Sequence, residues 1–274
     1  MLKKALVFGA FFYAFIIPSV HAEPVSVPVC APQRIDENAL VDYVYDGDTL
    51  RLKDGRKLRL IGIDTPEVFS KKRPIAPAVK AAGEGAREAL KKQLEAAGQR
   101  IGLAYGRQRH DRYGRSLAHV FLADGTNLQA WLIAQGHAIA FTTPPNDRMS
   151  HCYRQQESLA RKKRLGIWQL PQYQLKSVHQ LPPDSQGFHR LQGRVRELRQ
   201  GQRRVILMLG DRVEVSIYQP DLRNFSAHML KTLPGREVRL RGWLRKKKNS
   251  ENAAKKTVFE MRLRHPDAMV NLEN

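Results

Sequence analysis

Residues 39–66 constrain the fold more than any other stretch of the chain. The run ALVDYVYDGDTLRLKDGRKLRLIGIDTP contains three short segments in which apolar and polar side chains alternate. A period of two marks strands with one face buried. Tight turns at Asp46-Gly47-Asp48 and Asp54-Gly55 separate the segments. Asp-Gly ahead of a returning strand is a hairpin signal. Pro66 ends the third segment, because proline has no N–H to give to a ladder. A chain that opens this way builds a small β-meander and must cover one face of it.

The following residues supply the cover. In 83–97, Ala86, Leu90, Leu94 and Ala97 share one helical face, after a basic, Pro-containing loop over 69–80. Strands are expected at 100–107 and 116–122, around a turn at 111–114. Asn127 is placed to cap a short helix that Gly136 closes. Ser150 is expected to cap a basic amphipathic helix reaching Arg164, with Gly166 as its stop and Ile167 and Trp168 as an apolar latch. Residues 171–187, rich in Pro, Gln and Ser, read as a linker. Beyond them come strand patterns at 191–198, 203–209 and 212–218, a short helix within 221–233, and strands at 236–245 and 257–263. Three strands, a helix and two strands is the order of an OB-fold, a small barrel that often binds single strands or oligosaccharides.

Charge narrows the partner. The 274-residue chain carries 47 Lys and Arg against 26 Asp and Glu, a net charge of +21. Such an excess favours a polyanion through counterion release and steering, although solubility or adhesion to anionic lipid or cell wall would use it too. Arg190, Arg194, Arg196, Arg199, Arg203 and Arg204 form a stripe suited to a phosphate backbone, and Phe188, Tyr218, Phe225 and Trp243 offer stacking faces. Residues 1–22 have the pattern of an export leader: Lys3 and Lys4, an apolar run over 5–17, and Val20-His21-Ala22 as a small-residue cut site. The apolar run is too short to span a bilayer, which takes about 20 residues. The mature chain is therefore expected in a periplasm or outside the cell, with no stable membrane insertion. In that compartment Cys30 and Cys152 are expected to form a disulfide.

Asp46, Asp48, Asp64 and Glu67 are hard oxygen donors of the kind that suits calcium or magnesium. Arg59 and Arg115 add guanidinium groups, which meet phosphoryl oxygens with two donors in a fixed fork. A cation and two arginines could offset the charge that builds in phosphodiester hydrolysis while a carboxylate takes a proton from water.

Three ordered blocks carry a resemblance: VYDGDTLRLKDGRKLRLIGIDTPE at 44–67, HDRYGRSLAHVFLADGTNLQAWLIAQGHA at 110–138 and ARKKRLGIW at 160–168. Over residues 39–169 the chain resembles the staphylococcal-type thermonucleases. That resemblance implies a five-stranded OB barrel with three helices in residues 23–170. It implies Ca2+ held by Asp48, Asp64 and the Thr65 carbonyl, with Asp46 nearby. Arg59 and Arg115 would hold the scissile phosphate, and Glu67 would act as general base. Tyr113, with Arg112 beside it, would contact a terminal phosphate of bound nucleotide. The activity implied is hydrolysis of DNA and RNA, single strands readily, leaving 3′-phosphates, by a monomer. Phe141, Thr142 and Thr143 stand where better-known members carry nucleotide-stacking tyrosines, which leaves base preference open. The whole chain is thus expected to be α+β and mainly β, with a second, smaller OB-like barrel at 188–274. The alternative reading is a catalytically inactive OB protein of the envelope that only binds nucleic acid.

Overall fold

The computed structural model describes residues 30–69, 74–247 and 259–271. The expected export leader lies outside these residues. The meander forms as β1 (Glu37–Asp46), β2 (Thr49–Leu52) and β3 (Lys57–Leu60), followed by β4 (Ile63–Asp64), α1 (Pro77–Ala96), β5 (Arg100–His110), β6 (Ser116–Phe121), α2 (Leu128–Ala134), β7 (Ile139–Ala140) and α3 (Ser150–Lys162). The order β1-β2-β3-β6-β5 closes into a barrel. The β3–β6 pair is parallel and the other pairs are antiparallel. Leu58 and Leu60 point into the barrel and are fully buried. The alternation therefore turns Arg59, between them, out of the core.

Two element ends differ from expectation for local reasons. Helix α1 starts at Pro77, six residues before the periodic pattern does. Proline at the first helical position has a suitable φ and no N–H to waste. The added turns lie mostly in solvent, so they carry no apolar stripe to read. Ser150 is the first residue of α3 rather than its cap; Met149 holds that place without a side-chain cap bond. Asn127 does cap α2, accepting from Ala130 N at 3.0 Å, while its Nδ2 donates to Cys30 O at 2.9 Å. Cys30 and Cys152 are joined, tying the first described residue to α3 across 122 positions.

The stretch 171–187 is built rather than loose. A 3-10 turn at Pro171–Tyr173 leads into β8 (Leu175–Ser177) and a second turn at Val178–Gln180. Strand β8 pairs in parallel with β9 (Gly187–Gln200), and Val178 and Leu181 are buried in the second core. Its few apolar residues have no period, and a parallel pairing with a later strand leaves no local signal. The chain continues through β10 (Arg204–Leu209), β11 (Val213–Tyr218), α4 (Gln219–Leu222), α5 (Ala227–Lys231), β12 (Glu237–Lys246), β13 (Phe259–Arg262) and β14 (Met269–Asn271). Pairing runs β9-β10-β11-β13-β12, and β12 returns to β9 from Glu237↔Arg194 to Leu244↔Gly187. The second barrel thus repeats the strand order of the first, with its third and fifth strands again parallel.

The two barrels pack directly on each other. Ile139, Ala160, Ile167 and Trp168 from the first share one apolar cluster with Tyr173 and Phe188, and Trp243 packs against it. Arg241 of β12 pairs with Glu157 of α3 and donates to the Ala140 carbonyl of β7. Asp267 accepts from Thr142 Oγ1 at 3.3 Å and pairs with Arg154 at 3.2 Å. Since β7 pairs with β4 through Asp64↔Ile139, the second barrel docks beside the strand that carries Asp64.

Candidate active site

The site starts from the β1–β2 turn. Asp46 Oδ1 accepts from Asp48 N at 3.0 Å, which shapes the turn. Asp48 is buried; its Oδ1 accepts from Thr49 Oγ1 at 3.0 Å, and its Oδ2 from Thr65 N and Thr65 Oγ1, both at 3.2 Å. One carboxylate thereby fastens the turn to the loop after β4. Two glycines allow the parts to come this close. A Cβ on Gly47 would lie 2.7 Å from Thr65 Cγ2 and 2.8 Å from Ala86 Cβ, and one on Gly83 of α1 would lie 2.5 Å from Pro66 O.

Arg59 gathers the acids. Its Nη1 lies 2.7 Å from Asp48 Oδ2 and its Nη2 3.2 Å from Asp64 Oδ1. The same guanidinium donates to Leu60 O at 3.0 Å and Ile63 O at 3.1 Å. Burial works against its charge, but Asp48, Asp64, Asp46 and Glu67 outweigh burial and raise its pKa. Burial pushes the Asp64 carboxyl well above the usual carboxylate range; Arg59 opposes this, and the charges of Asp48, Glu67 and Asp46 add to it. Asp46 is raised likewise, by burial and then by Asp48.

Arg115 is set by a turn that Asp111 organises. Asp111 Oδ1 accepts from Tyr113 N at 2.8 Å and Arg115 N at 3.0 Å, and Oδ2 pairs with Arg115 Nε at 2.7 Å. Burial opposes ionisation of Asp111, yet these donors hold its pKa below the usual range. Tyr113 projects from the turn, 68% exposed. Arg112 donates to its hydroxyl at 2.6 Å and lies 4.7 Å from its ring centroid.

Arg59, Asp64, Arg112, Tyr113 and Arg115 line one cleft of about 820 Å³. Asp48 and Thr65 are buried behind Arg59, while Glu67 is exposed on the next loop, where its charge acts on Arg59 and Asp64. The cleft has a second wall, of which sequence reasoning offered only Tyr218 and Trp243, as stacking faces, and missed the arginines. Tyr218, Trp243, Arg245, Arg262 and Arg264 of the second barrel line it as well. A signal for it existed: Arg241, Trp243 and Arg245 alternate along β12, which puts them on one sheet face. The expected arginine stripe is not part of the cleft lining. Arg190 donates to Tyr173 O and lies over Trp168, Arg194 donates to Gly235 O, Arg199 pairs with Glu197 and Arg204 with Glu260. Phe188 and Phe225 are buried, which leaves Tyr218 and Trp243 as the cleft aromatics of the second barrel.

The sequence model of the family described as "Staphylococcal nuclease homologue" matches residues 57–170. A thermonuclease of Staphylococcus intermedius is 40% identical over 136 residues, which cover 48% of this chain and 77% of that protein. The chain belongs to the staphylococcal nuclease family. A thermonuclease of Staphylococcus hyicus is 36% identical over 128 residues, covering 46% of this chain and 72% of the relative. An endonuclease of Bacillus subtilis (strain 168) is 33% identical over 135 residues, 48% of this chain and 61% of that protein. The family match ends at residue 170, before the second barrel begins.

The acidic side chains of the site lie close together on Arg59. Among the described residues no group of three or more His, Cys, Asp or Glu side chains could hold a metal by itself. The Asp48 and Asp64 carboxylates, which meet on Arg59, would need oxygens from backbone and water to complete a coordination shell. Burial, and then the neighbouring carboxylates, raise the pKa of Asp46 and Asp64, and positive charge beside them would relieve the repulsive part. The donors are all oxygen, so the residues fit Ca2+ or Mg2+ better than a thiophilic metal.

Proposed function

We propose that this chain is an exported, calcium-dependent endonuclease that hydrolyses phosphodiester bonds of DNA and RNA. The observation that carries the reading is the placement of Arg59, between Asp48 and Asp64, on the same cleft as Arg115 and Tyr113. In this reading Asp48, Asp64 and the Thr65 carbonyl hold Ca2+, which when bound supplies positive charge to the phosphoryl oxygens. Arg59 and Arg115 grip the non-bridging oxygens, whose charge grows as the attacking water adds to phosphorus. Glu67 accepts the proton that this water gives up. The phosphorus–O5′ bond breaks, the 5′-oxygen takes a proton from solvent, and a 3′-phosphate is left. Tyr113 and Arg112, which line the same cleft, contact a terminal phosphate of the bound strand in this reading. The Cys30–Cys152 bond supports an oxidising compartment, in agreement with the expected leader.

Digestion of end-labelled DNA and RNA with calcium, magnesium or chelator, with analysis of product ends, tests this reading. Cleavage is expected with calcium, with 3′-phosphate ends, and none in chelator. Arg115→Gln is expected to lower turnover about 10²–10³-fold, the cost of one donor to a developing oxyanion. Undiminished turnover in excess chelator would remove the calcium assignment. Binding of nucleic acid with no product under any of these conditions would favour the inactive binding protein instead.

A further inference from the structure

The catalytic cleft is shared between two barrels, and its far wall is cationic without a catalytic role. Eight arginines and four carboxylates line the cleft, so the excess is positive. Part of this charge is spent on structure: Arg241 is held by Glu157 and Arg154 by Asp267. Arg245, Arg262 and Arg264 are placed differently. Arg262 and Arg264 share one acid, Asp221, through Nε at 3.1 Å and 3.5 Å, and that carboxylate is buried, its side chain 4% exposed. Two guanidinium groups on one carboxylate leave one positive charge uncompensated in a fixed position. Arg262 also lies 4.9 Å from the Tyr218 ring centroid. Arg245 is exposed on β12 opposite Glu260, but Glu260 is occupied by Arg204 at 3.0 Å and the Tyr218 hydroxyl at 3.3 Å. Among the described residues Arg245 has no hydrogen-bond or ion-pair partner.

We propose that this β12–β13 wall is a phosphate-binding subsite for the nucleic-acid strand that flanks the scissile bond. The inference rests on the nuclease reading and adds the substrate class to it: strands long enough to bridge both walls, in preference to fragments of a few nucleotides. Arg245 takes one phosphate, and the Arg262–Arg264 pair takes another. The wall stays at a fixed distance from Arg59 and Arg115, because Arg241 and Asp267 lock the barrels together. An OB barrel commonly binds strands across its second and third strands. Here the fourth and fifth, β12 and β13, face the reacting bond.

Fluorescence anisotropy of a four-nucleotide and a sixteen-nucleotide oligothymidylate, titrated in chelator over a salt series, tests the subsite without cleavage. The wild type is expected to bind the longer strand at least about ten-fold more tightly. Arg245→Gln and Arg264→Gln should each shrink that advantage several-fold and flatten log K against log salt by about 0.7, the value of one phosphate contact on a single strand. Lys92→Gln, on α1 away from the cleft, should leave both unchanged. Melting curves accompany each variant, and the exposed Arg245→Gln should melt with the wild type. Equal binding and equal slopes in wild type, Arg245→Gln and Arg264→Gln would overturn the proposal while leaving cleavage of long DNA, and so the nuclease reading, intact. A loss with Arg203→Gln and none with Arg245→Gln would put the strand on β10–β11 and overturn it equally. A wild type that cleaves no DNA in calcium would remove the reading beneath it.

Discussion

Arg59 and Arg115 line the same cleft, yet they stand on different ground. Among the described residues Arg59 is the one ion-pair partner of Asp48 and of Asp64, and its side chain is 16% exposed. Taking one partner from a buried pair costs about 3–5 kcal/mol, so Arg59→Gln should lose both turnover and much of the folding stability. Arg115 is more open and pairs with Asp111 at the rim, a class of pair worth roughly 0–1 kcal/mol. Arg115→Gln should therefore unfold in urea close to the wild type while its turnover collapses, and equal stability loss in the two variants would refute this division. His119 sets a pH limit on the fold. Its Nδ1 lies 2.7 Å from the Tyr153 hydroxyl, which donates to Asn127 Oδ1 at 3.2 Å. Burial, helped by Arg148, takes its pKa from 6.5 down to about 3. The folded chain keeps the ring neutral, whereas the unfolded chain protonates it below its ordinary value. Its contribution is thus whole above pH 6.5 and declines by up to about 1.4 kcal/mol per pH unit as the pH falls toward 3. Urea midpoints at pH 7, 5 and 4 should drop less steeply in His119→Gln than in the wild type; parallel declines would exclude the histidine as the cause.

At the scale of elements, α1 acts as a press on the acidic loops, and its two inner glycines separate packing from propensity. Gly83 meets the Pro66 carbonyl, whereas a Cβ on Gly85, two residues on, would meet nothing within 4 Å. Alanine is better than glycine inside a helix by about 0.8–1.0 kcal/mol. Gly85→Ala should accordingly stabilise the protein by up to that amount with turnover unchanged. Gly83→Ala should destabilise it and lower turnover, because the added carbon displaces the 66–67 backbone that carries Glu67. Thermal melts and initial rates on the two variants decide between this and a helix governed by propensity alone. The same helix shows what was readable beforehand. Ala86, Leu90 and Leu94 announced its buried face, since three turns of apolar side chains must cover something. Its first turns were silent because they touch little. The carboxylates and arginines of the site were legible for a related reason: their residue types sit at turns and strand ends fixed by alternation and Asp-Gly signals. Their joining through Arg59 was not, for it depends on the β2–β3 register that sets Arg59 opposite Thr49, beside Asp48, and on the turn after β3 that brings Asp64 back to it.

At the scale of the whole molecule, two connections hold together parts that sequence keeps far apart. The five barrel strands of the second half were legible from alternation, but docking was not, because it depends on single residues of mixed character: Arg241, Asp267, Phe188. The disulfide is the first connection. It closes a loop of 122 residues, and loop-closure entropy for about 100 residues is worth roughly 4–5 kcal/mol. A Cys30→Ser, Cys152→Ser double variant should lose up to that much in urea unfolding, and a loss below about 1 kcal/mol would show that the Asn127–Tyr153 network secures this end without it. The second connection is Arg241 on Glu157. Glu157 is 2% exposed and also accepts from Ala140 N at 3.2 Å, so it sits inside the junction rather than at its edge. Arg241→Met strands that acid and should cost about 3–5 kcal/mol, whereas replacing both partners by uncharged groups of similar shape can be neutral or better. The Arg241→Met, Glu157→Gln pair should therefore be more stable than Arg241→Met alone. A double variant at least as unstable as the sum of the two single ones would mean the ion pair does not couple the barrels. If they are coupled, Arg241→Met should also weaken binding of long strands more than of short ones, since the wall bearing Arg245 would no longer be held opposite Arg59.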